Sequence, residues 1–353
     1  MNRLLITGGC GFIGVNLVAS LLEAEWLRSI RVVDNLSVGT REELASVCCF
    51  TERQTGACEQ IEGGLAQPKE TGRSGFEDRA DNRTRVELVI GDIRDLDLAK
   101  EACEGVDAVV HLAANTGVIP SIEEPMMDCM TNVLGTLNYL QGAREAGVAR
   151  FILASSGAPL GQQTPPIHEE LVPRPISPYG ASKLAGEAYC SAYHGSFGLD
   201  TVVLRFGNVY GPRSNHKGSV VAKFIQHILA DKDLTIYGDG RQTRDFIYVS
   251  DLVDAIVLAM RKSDVGGEVF QIATHREHTV GEVSTALNRL AEKYLGKTSR
   301  VVYEQERKGE VKRNYSDISK AKRLLGFTPR VDMEEGLART FLWFLNNGTD
   351  GPR

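Results

Sequence analysis

The sequence predicts an α/β protein: a doubly wound parallel sheet with a smaller C-terminal lobe. Three features point there. Over the first 155 residues, short β-branched runs alternate with longer helical patterns, as strands and crossover helices do in a parallel sheet. The runs are apolar nearly throughout, as in Leu4-Leu5-Ile6 and Val109-Val110, which suits strands covered by helices on both faces. After Tyr210 the alternation gives way to a mixed pattern, the mark of a second lobe.

Residues 3–7 form the first expected strand and 12–24 the helix after it, with further strands at 31–34, 86–90, 108–112 and 151–155. Between 46 and 85 the pattern breaks: Gly56, Gly63, Gly64, Pro68, Gly72 and Gly75 stand among charged and polar residues without periodicity. This stretch reads as an irregular insertion in a crossover, because structureless segments of such length are uncommon inside compact domains. Helices are expected at 178–197, 218–230, 251–260 and near 333–345, with a strand at 201–205. The domains expected are 1–208 for the sheet, with a return near 236–264, and 209–347 mainly for the lobe, leaving 348–353 as a tail.

A chain of 353 residues has room for two domains at about 150 residues each. With 42% hydrophobic and 24% charged residues it has ordinary globular composition, which argues against disordered, collagen-like and coiled-coil chains. Its 40 basic and 46 acidic groups lack the basic excess or stripe of a nucleic-acid binder, so no nucleic-acid partner is expected. Apolar stretches such as 253–260 fall far short of the about 20 residues that span a bilayer, and no signal-peptide pattern opens the chain. Seven scattered cysteines without a C-x-x-C pair fit reduced thiols, and cytoplasmic residence with no membrane partner is the expectation. His275 and His278 lack a carboxylate at ligand spacing, so no metal is expected.

The first strand runs into Thr7-Gly8-Gly9-Cys10-Gly11-Phe12-Ile13-Gly14, and a helical pattern follows directly. Glycines at this G-x-x-G-x-x-G spacing permit a tight turn, close approach to a pyrophosphate and close packing of helix on strand. The helix N-terminus offers free N–H groups and positive potential. Asp34, twenty residues after Gly14, ends the second strand, where a carboxylate accepts hydrogen bonds from ribose hydroxyls and favours NAD over NADP. This strand-turn-helix context marks a dinucleotide-binding Rossmann domain.

Tyr179 and Lys183 lie four apart at the start of the helix after Pro178, on one helix face. A phenol with a pKa of about 10 is a poor base at neutral pH, and a nearby ammonium favours its ionised form. Ser155 and Ser156 close the strand before it, at the edge where ligands bind open α/β sheets. A hydroxyl there is placed to share a substrate proton with Tyr179.

Ten ordered segments then carry a resemblance: TGGCGFIG (7–14), DNLSVG (34–39), GDIRD (91–95), HLAA (111–114), N-V-x-GT (132–136), SS (155–156), YGASK (179–183), RFGNVYGPR (205–213), YGDGRQTRDFIYVSDL (237–252) and RKGE (307–310). With them the chain resembles the extended short-chain dehydrogenase/reductases, and among these the NAD-dependent nucleotide-sugar epimerases and dehydratases, over nearly its whole length. The resemblance implies bound NAD, held by Gly8, Gly11, Phe12, Ile13, Gly14, Asp34 and Asn35, with Asp92 and Ile93 flanking the adenine and Ala113 and Ala114 lining the cleft. Asn132 would sit near nicotinamide and sugar, beside Tyr179 and Lys183. For the substrate it implies Ser156 at the sugar, Asn208 at phosphate or hexose, and Arg244 and Arg307 at the diphosphate, with Ser219, Val220 and Lys223 of 219–223 holding the nucleoside.

Departures narrow the reaction. Dehydratases of the family place Asp-Glu after the catalytic hydroxyl residue, and its decarboxylases tend to carry Glu at the position of Ala158; here Gly157 and Ala158 follow Ser156. Epimerisation needs only hydride removal and return with one shuttled proton, so a UDP-hexose 4-epimerase is expected, with UDP-glucuronate 4-epimerase and a non-catalytic nucleotide-sensing member as alternatives. Pro159 and Leu160 stand where many relatives have Val-Tyr, altering the sugar pocket. Asn314, seven residues after Arg307, takes a gate position whose size admits a 2-acetamido group. Gly117 and Val118 resemble glucuronate epimerases, whereas Ile119 and Pro120 depart from their basic residue. Helices near 127–147 and 178–197 either pair across a homodimer as a four-helix bundle, as the family commonly does, or are covered within one subunit.

Overall fold

Leu4, Leu5 and Ile6 have no solvent exposure at all, because this strand is covered on both faces. In the computed structural model, which describes residues 1–54, 84–306 and 311–348, successive residues feed opposite layers. Leu4, Ile6, Val32 and Val110 join one apolar cluster, whereas Leu5, Val33 and Val109 join the other. Burying each such side chain contributes about 1.5–3 kcal/mol, which is why these runs are continuously apolar instead of alternating.

The strands are β1 Arg3–Thr7, β2 Ser29–Asp34, β3 Thr51–Gln54, β4 Arg85–Ile90, β5 Ala108–His111, β6 Arg150–Ser156 and β7 Asp200–Phe206. After them come β8 Asn208–Tyr210, β9 Leu234–Tyr237, β10 Thr243–Arg244, β11 Phe246–Tyr248, β12 Val269–Ile272, β13 His278–Thr279 and β14 Val301–Glu304. Eight of them form one parallel sheet in the order β12-β7-β6-β5-β1-β2-β4-β3. The order reverses between β1 and β5, and the crevice beyond the strand ends at such a switch point is where open α/β sheets take ligands.

The helices are α1 Phe12–Leu21, α2 Arg41–Ala45, α3 Leu96–Cys103, α4 Val118–Glu123, α5 Pro125–Cys129, α6 Gly135–Glu145 and α7 Pro178–Phe197. The second half adds α8 Val220–Leu229, α9 Val249–Arg261, α10 Val280–Leu295 and α11 Met333–Asn347. Residues of α1 and α9 cover one face of the sheet, and α3, α6 and α7 the other. The lobe has its own core from α8, α10 and α11, including Phe224, Leu287, Phe341 and Phe344. Its chain is interleaved with the sheet layer: α9 and β12 return to the sheet, as do Ile318, Ala321, Leu325 and Phe327 between β14 and α11.

Most expected elements recur with shifted ends. The α7 helix runs as expected over 178–197, opened by Ser177, whose hydroxyl accepts the Gly180 N–H, and closed by left-handed Gly198. The first helix stops at Leu21, short of residue 24, where Ala24 N–H turns back to the Leu21 carbonyl and lets Leu27 enter the core. The 46–85 stretch needs correction, because Thr51–Gln54 is the edge strand of the sheet, paired parallel to β4. Removing 46–85 as a block would take that strand and the Arg41–Glu52 ion pair with it. Residues 55–83, the greater part of the expected insertion, lie outside the described residues.

Candidate active site

The glycine turn lies at the switch point. Gly8 has φ +71°, and a Cβ there would stand 2.8 Å from the Ala113 amide nitrogen on the neighbouring crossover. Gly14 brings α1 against the turn so closely that a Cβ would meet the Gly8 carbonyl oxygen at 2.3 Å. Gly11 caps α1 without any side chain bonding its first amides, so the turn at Phe12, Ile13 and Gly14 offers an uncapped helix N-terminus suited to an anionic diphosphate. The chain therefore fits a dinucleotide here by backbone alone.

Asp34 ends β2 beside this turn. Its carboxylate accepts the Cys10 N–H at 3.0 Å and the Leu36 N–H at 2.9 Å, while burial pushes its carboxyl up from the usual range. At the end of β4, Asp92 accepts from the Arg94 guanidinium at 2.8 Å and from Asn35 Nδ2 at 3.2 Å, and Arg94 holds its carboxyl down to about 2. Ile93 turns inward against Gly135, and the Ala113 N–H donates to Thr7 Oγ1 at 3.2 Å, with Ala114 next in the same segment. The ends of β1, β2, β4 and β5 thus bring these expected residues to one edge.

Ser156 ends β6 at the same edge, and its Oγ accepts the Ala158 N–H at 3.1 Å. Tyr179, in the first turn of α7, hydrogen-bonds Ser156, which works to lower the phenol's pKa, but burial dominates and raises it. The sequence led us to expect Lys183 to lower it. In the structure the Lys183 ammonium instead donates to the Ala154 carbonyl at 3.0 Å, and burial pushes it down to about 8. A carbonyl anchor fixes the ammonium behind the phenol without neutralising it.

His111, buried at the end of β5, sits between Thr7 Oγ1 at 2.9 Å and Thr136 Oγ1 at 3.3 Å. Burial and the Lys183 charge push it down to about 3, so it is neutral at physiological pH. Asn132 lies in a π-helical turn, Met130–Leu134, that swings its amide into the interior. There its two Nδ2 hydrogens are shared among the Asn115 carbonyl and Asp128 Oδ1, both at 2.9 Å, and Ser182 Oγ at 3.1 Å, and its Oδ1 accepts the Asn115 N–H at 2.7 Å. The amide is saturated by the protein, joining the segment after β5 to α7.

Of the residues expected at the substrate, Asn208 lies on β8, Ser219 to Lys223 at the start of α8 and Arg244 on β10. Asn208 opens β8 with an exposed side chain, its N–H donating to the Asp245 carbonyl at 2.8 Å. Ser219 caps α8 ahead of Val220 and Lys223, and its buried hydroxyl has no protein partner. Arg244 Nη1 donates to the carbonyls of Thr243 and Val311, at 2.7 Å each. Arg307 lies outside the described residues. Asn314 Nδ2 stands 3.9 Å from where a Gly157 Cβ would be, placing this position over the segment after Ser156.

Sequence reasoning missed three buried groups. Asp245 gathers the N–H groups of Thr274, His275 and Ser316 and the Thr274 hydroxyl. Glu187 holds Arg205 bidentately at 2.9 and 2.6 Å and accepts Ser155 Oγ at 2.5 Å. The signal for Glu187 was its position one turn after Lys183. Asp128, on α5, carried none. Among the described residues no group of three or more His, Cys, Asp or Glu side chains could hold a metal ion, and no helix is long and apolar enough to cross a membrane.

Fold and glycine turn together define a dinucleotide-binding α/β class of protein, with Ser156, Tyr179 and Lys183 gathered at the C-terminal end of β6. Comparison with known proteins agrees: residues 4–273 match the model of the NAD dependent epimerase/dehydratase family. The chain is 34% identical to UDP-glucose 4-epimerase of Mycolicibacterium smegmatis, over 98% of its own length and 99% of the relative's. It is 37% identical to UDP-glucuronate 4-epimerase of Thermodesulfobacterium geofontis over 69% of its own length and 73% of the relative's. The crystal structure of Thermotoga maritima UDP-glucose 4-epimerase with UDP-glucose superposes with a TM-score of 0.80 at 34% identity, covering 98% of this chain and 99% of that one. The chain belongs to the NAD dependent epimerase/dehydratase family.

Proposed function

We propose that the protein is an isomerase, a UDP-sugar 4-epimerase that inverts C4 of a UDP-hexose through a transient 4-keto sugar. The observation that carries this is the Ser156-Tyr179-Lys183 group at the dinucleotide edge, with Gly157 and Ala158 following Ser156 where elimination would need carboxylates. NAD, the cofactor of this family, would supply the hydride acceptor and donor that inversion at C4 needs. Gly8, Gly11, Phe12, Ile13 and Gly14 would hold its diphosphate, Asp34 and Asn35 its ribose, and Asp92, Ile93, Ala113 and Ala114 the adenine and the rest of the cleft.

Tyr179, once ionised to its phenolate, takes the proton of the 4-hydroxyl and later returns it. Ser156 supports this, because its Oγ already accepts from the Ala158 N–H and keeps its own proton to donate. Lys183, with its pKa near 8, is mostly protonated at neutral pH and keeps positive charge behind the phenol. Asn132 positions Ser182 and hence α7. Asn208, Ser219, Val220, Lys223, Arg244 and Arg307 hold the UDP portion; the partnerless Ser219 hydroxyl is a ready donor for it. Asn314, near Gly157 in the segment after Ser156, is a side chain of moderate size at that position, which supports a hexose or its 2-acetamido form. The second reading, UDP-glucuronate, draws on the 37% identical relative.

The test is NMR of the purified protein with UDP-glucose, UDP-N-acetylglucosamine and UDP-glucuronate in turn. C4 inversion of one of the first two is the expected result. Inversion of the third alone selects the second reading, and conversion of none despite bound NAD defeats both.

The reading extends to a homodimer in the cytoplasm, whose reducing environment suits the buried thiols of Cys10, Cys103 and Cys190. Its support is an apolar surface on α4, α5, the π-helical turn after it and α7: Met126 is 70% exposed, Ile122 59%, and Val118, Ile119, Met127, Met130 and Phe197 add to it. A monomer rarely leaves so many large apolar side chains in water together. Light scattering should give a dimer for the native chain and a monomer for Met126→Glu; a native monomer refutes the dimer.

A further inference from the structure

Asp128 is 1% exposed on α5, a helix that also carries the exposed Met126 and Met127. One carboxylate oxygen accepts Asn132 Nδ2 at 2.9 Å. The other is buried with no hydrogen-bond partner, and among the described residues no cation pairs with it. A buried carboxylate left in this state is costly unless a counter-charge lies near. Lys183 is the matching case, a buried ammonium bonded to a neutral carbonyl and lacking an ion-pair contact among the described residues.

We propose that Asp128 is a positioning residue for the proposed reaction, the buried counter-charge that keeps Lys183 protonated and, through Asn132 and Ser182, fixes the turn carrying Tyr179. Among the other groups facing Lys183, Glu187 adds to this, but less than Asp128 does. Glu187, one turn on along α7, has its charge matched by Arg205 of β7 and its oxygen used by Ser155. His111 of β5 is neutral. Tyr179 carries no charge until it ionises. Asp128 acts on both catalytic groups, raising the pKa of Lys183 and that of Tyr179. Removing its charge therefore moves both to lower pH.

The proposal rests on Tyr179 and Lys183 being the proton-transfer pair, so its test has a readout independent of turnover. In the full-length protein, ultraviolet titration of wild type minus Tyr179→Phe isolates the Tyr179 phenol. Asp128→Asn, compared with its own Tyr179→Phe background, should shift that titration to lower pH by about one pH unit, the size expected for loss of a nearby charge. Asp128→Glu should restore it. Asp128→Ser provides a second charge removal should the Asn variant fold poorly. An unshifted phenol in a folded, uncharged variant overturns the proposal, since a merely structural Asp128 would lower activity without moving the titration. A shifted phenol in a protein that converts no UDP-sugar upholds the proposal while refuting the epimerase reading.

Discussion

Replacing Tyr179 with Phe should lower turnover by about 100- to 10,000-fold, the range that a positioned acid/base contributes, while bound NAD survives purification. The substitution removes one oxygen and keeps the ring, so α7 keeps its packing. What is lost is the only phenol bonded to Ser156 at the dinucleotide edge among the described residues. The measurement is UDP-sugar conversion beside the NAD released on denaturation. An active Tyr179→Phe protein would mean that the proton travels by another group, and the assignment of Ser156 and Lys183 would fall with it.

The largest expected effect on stability is at Arg205. Its side chain is 4% exposed and that of Glu187 5%, and the two share a bidentate contact with a closest approach of 2.6 Å. Arg205→Ala leaves the Glu187 carboxylate buried with only the Ser155 hydroxyl, a change that costs about 3–5 kcal/mol. The double variant Arg205→Met with Glu187→Leu removes both charges and should recover most of that loss, because desolvating an ion pair is itself expensive. Urea unfolding of the three proteins decides the matter; equal stability of Arg205→Ala and wild type would show that the pair contributes little.

The sheet was legible in the sequence because its strands are buried on both sides and so advertise themselves by unbroken apolar runs. The glycine turn was legible because its close contacts forbid side chains, as at Gly8 and Gly14. β3 was not, and the reason is its place. The sequence Thr-Glu-Arg-Gln needs only backbone hydrogen bonds to pair at a sheet edge and no apolar face, so periodicity cannot reveal it. The site divides in the same way. Tyr179, Lys183 and Ser156 follow from local spacing and strand ends, whereas Asp245 depends on donors far along the chain, from Thr274 to Ser316, and the burial of Asp128 depends on how α5 packs against α7. Lys183 shows a subtler gap. Four-residue spacing placed it correctly but could not show that its bond goes to the Ala154 carbonyl.

The interleaving of lobe and sheet bears on how such proteins diverge. The lobe's core draws on α8, then on β9 through β11, then on α10 and finally on α11, and between these stretches the chain goes back to the sheet layer through α9, β12 and the segment around Phe327. Asp245 ties three of the crossing points together with one carboxylate. A recombination event that imported a relative's substrate lobe as one contiguous block would also replace parts of the cofactor layer and sever this knot. An exchange of the lobe alone would therefore have to leave those return segments in place, whereas a point substitution disturbs neither layer.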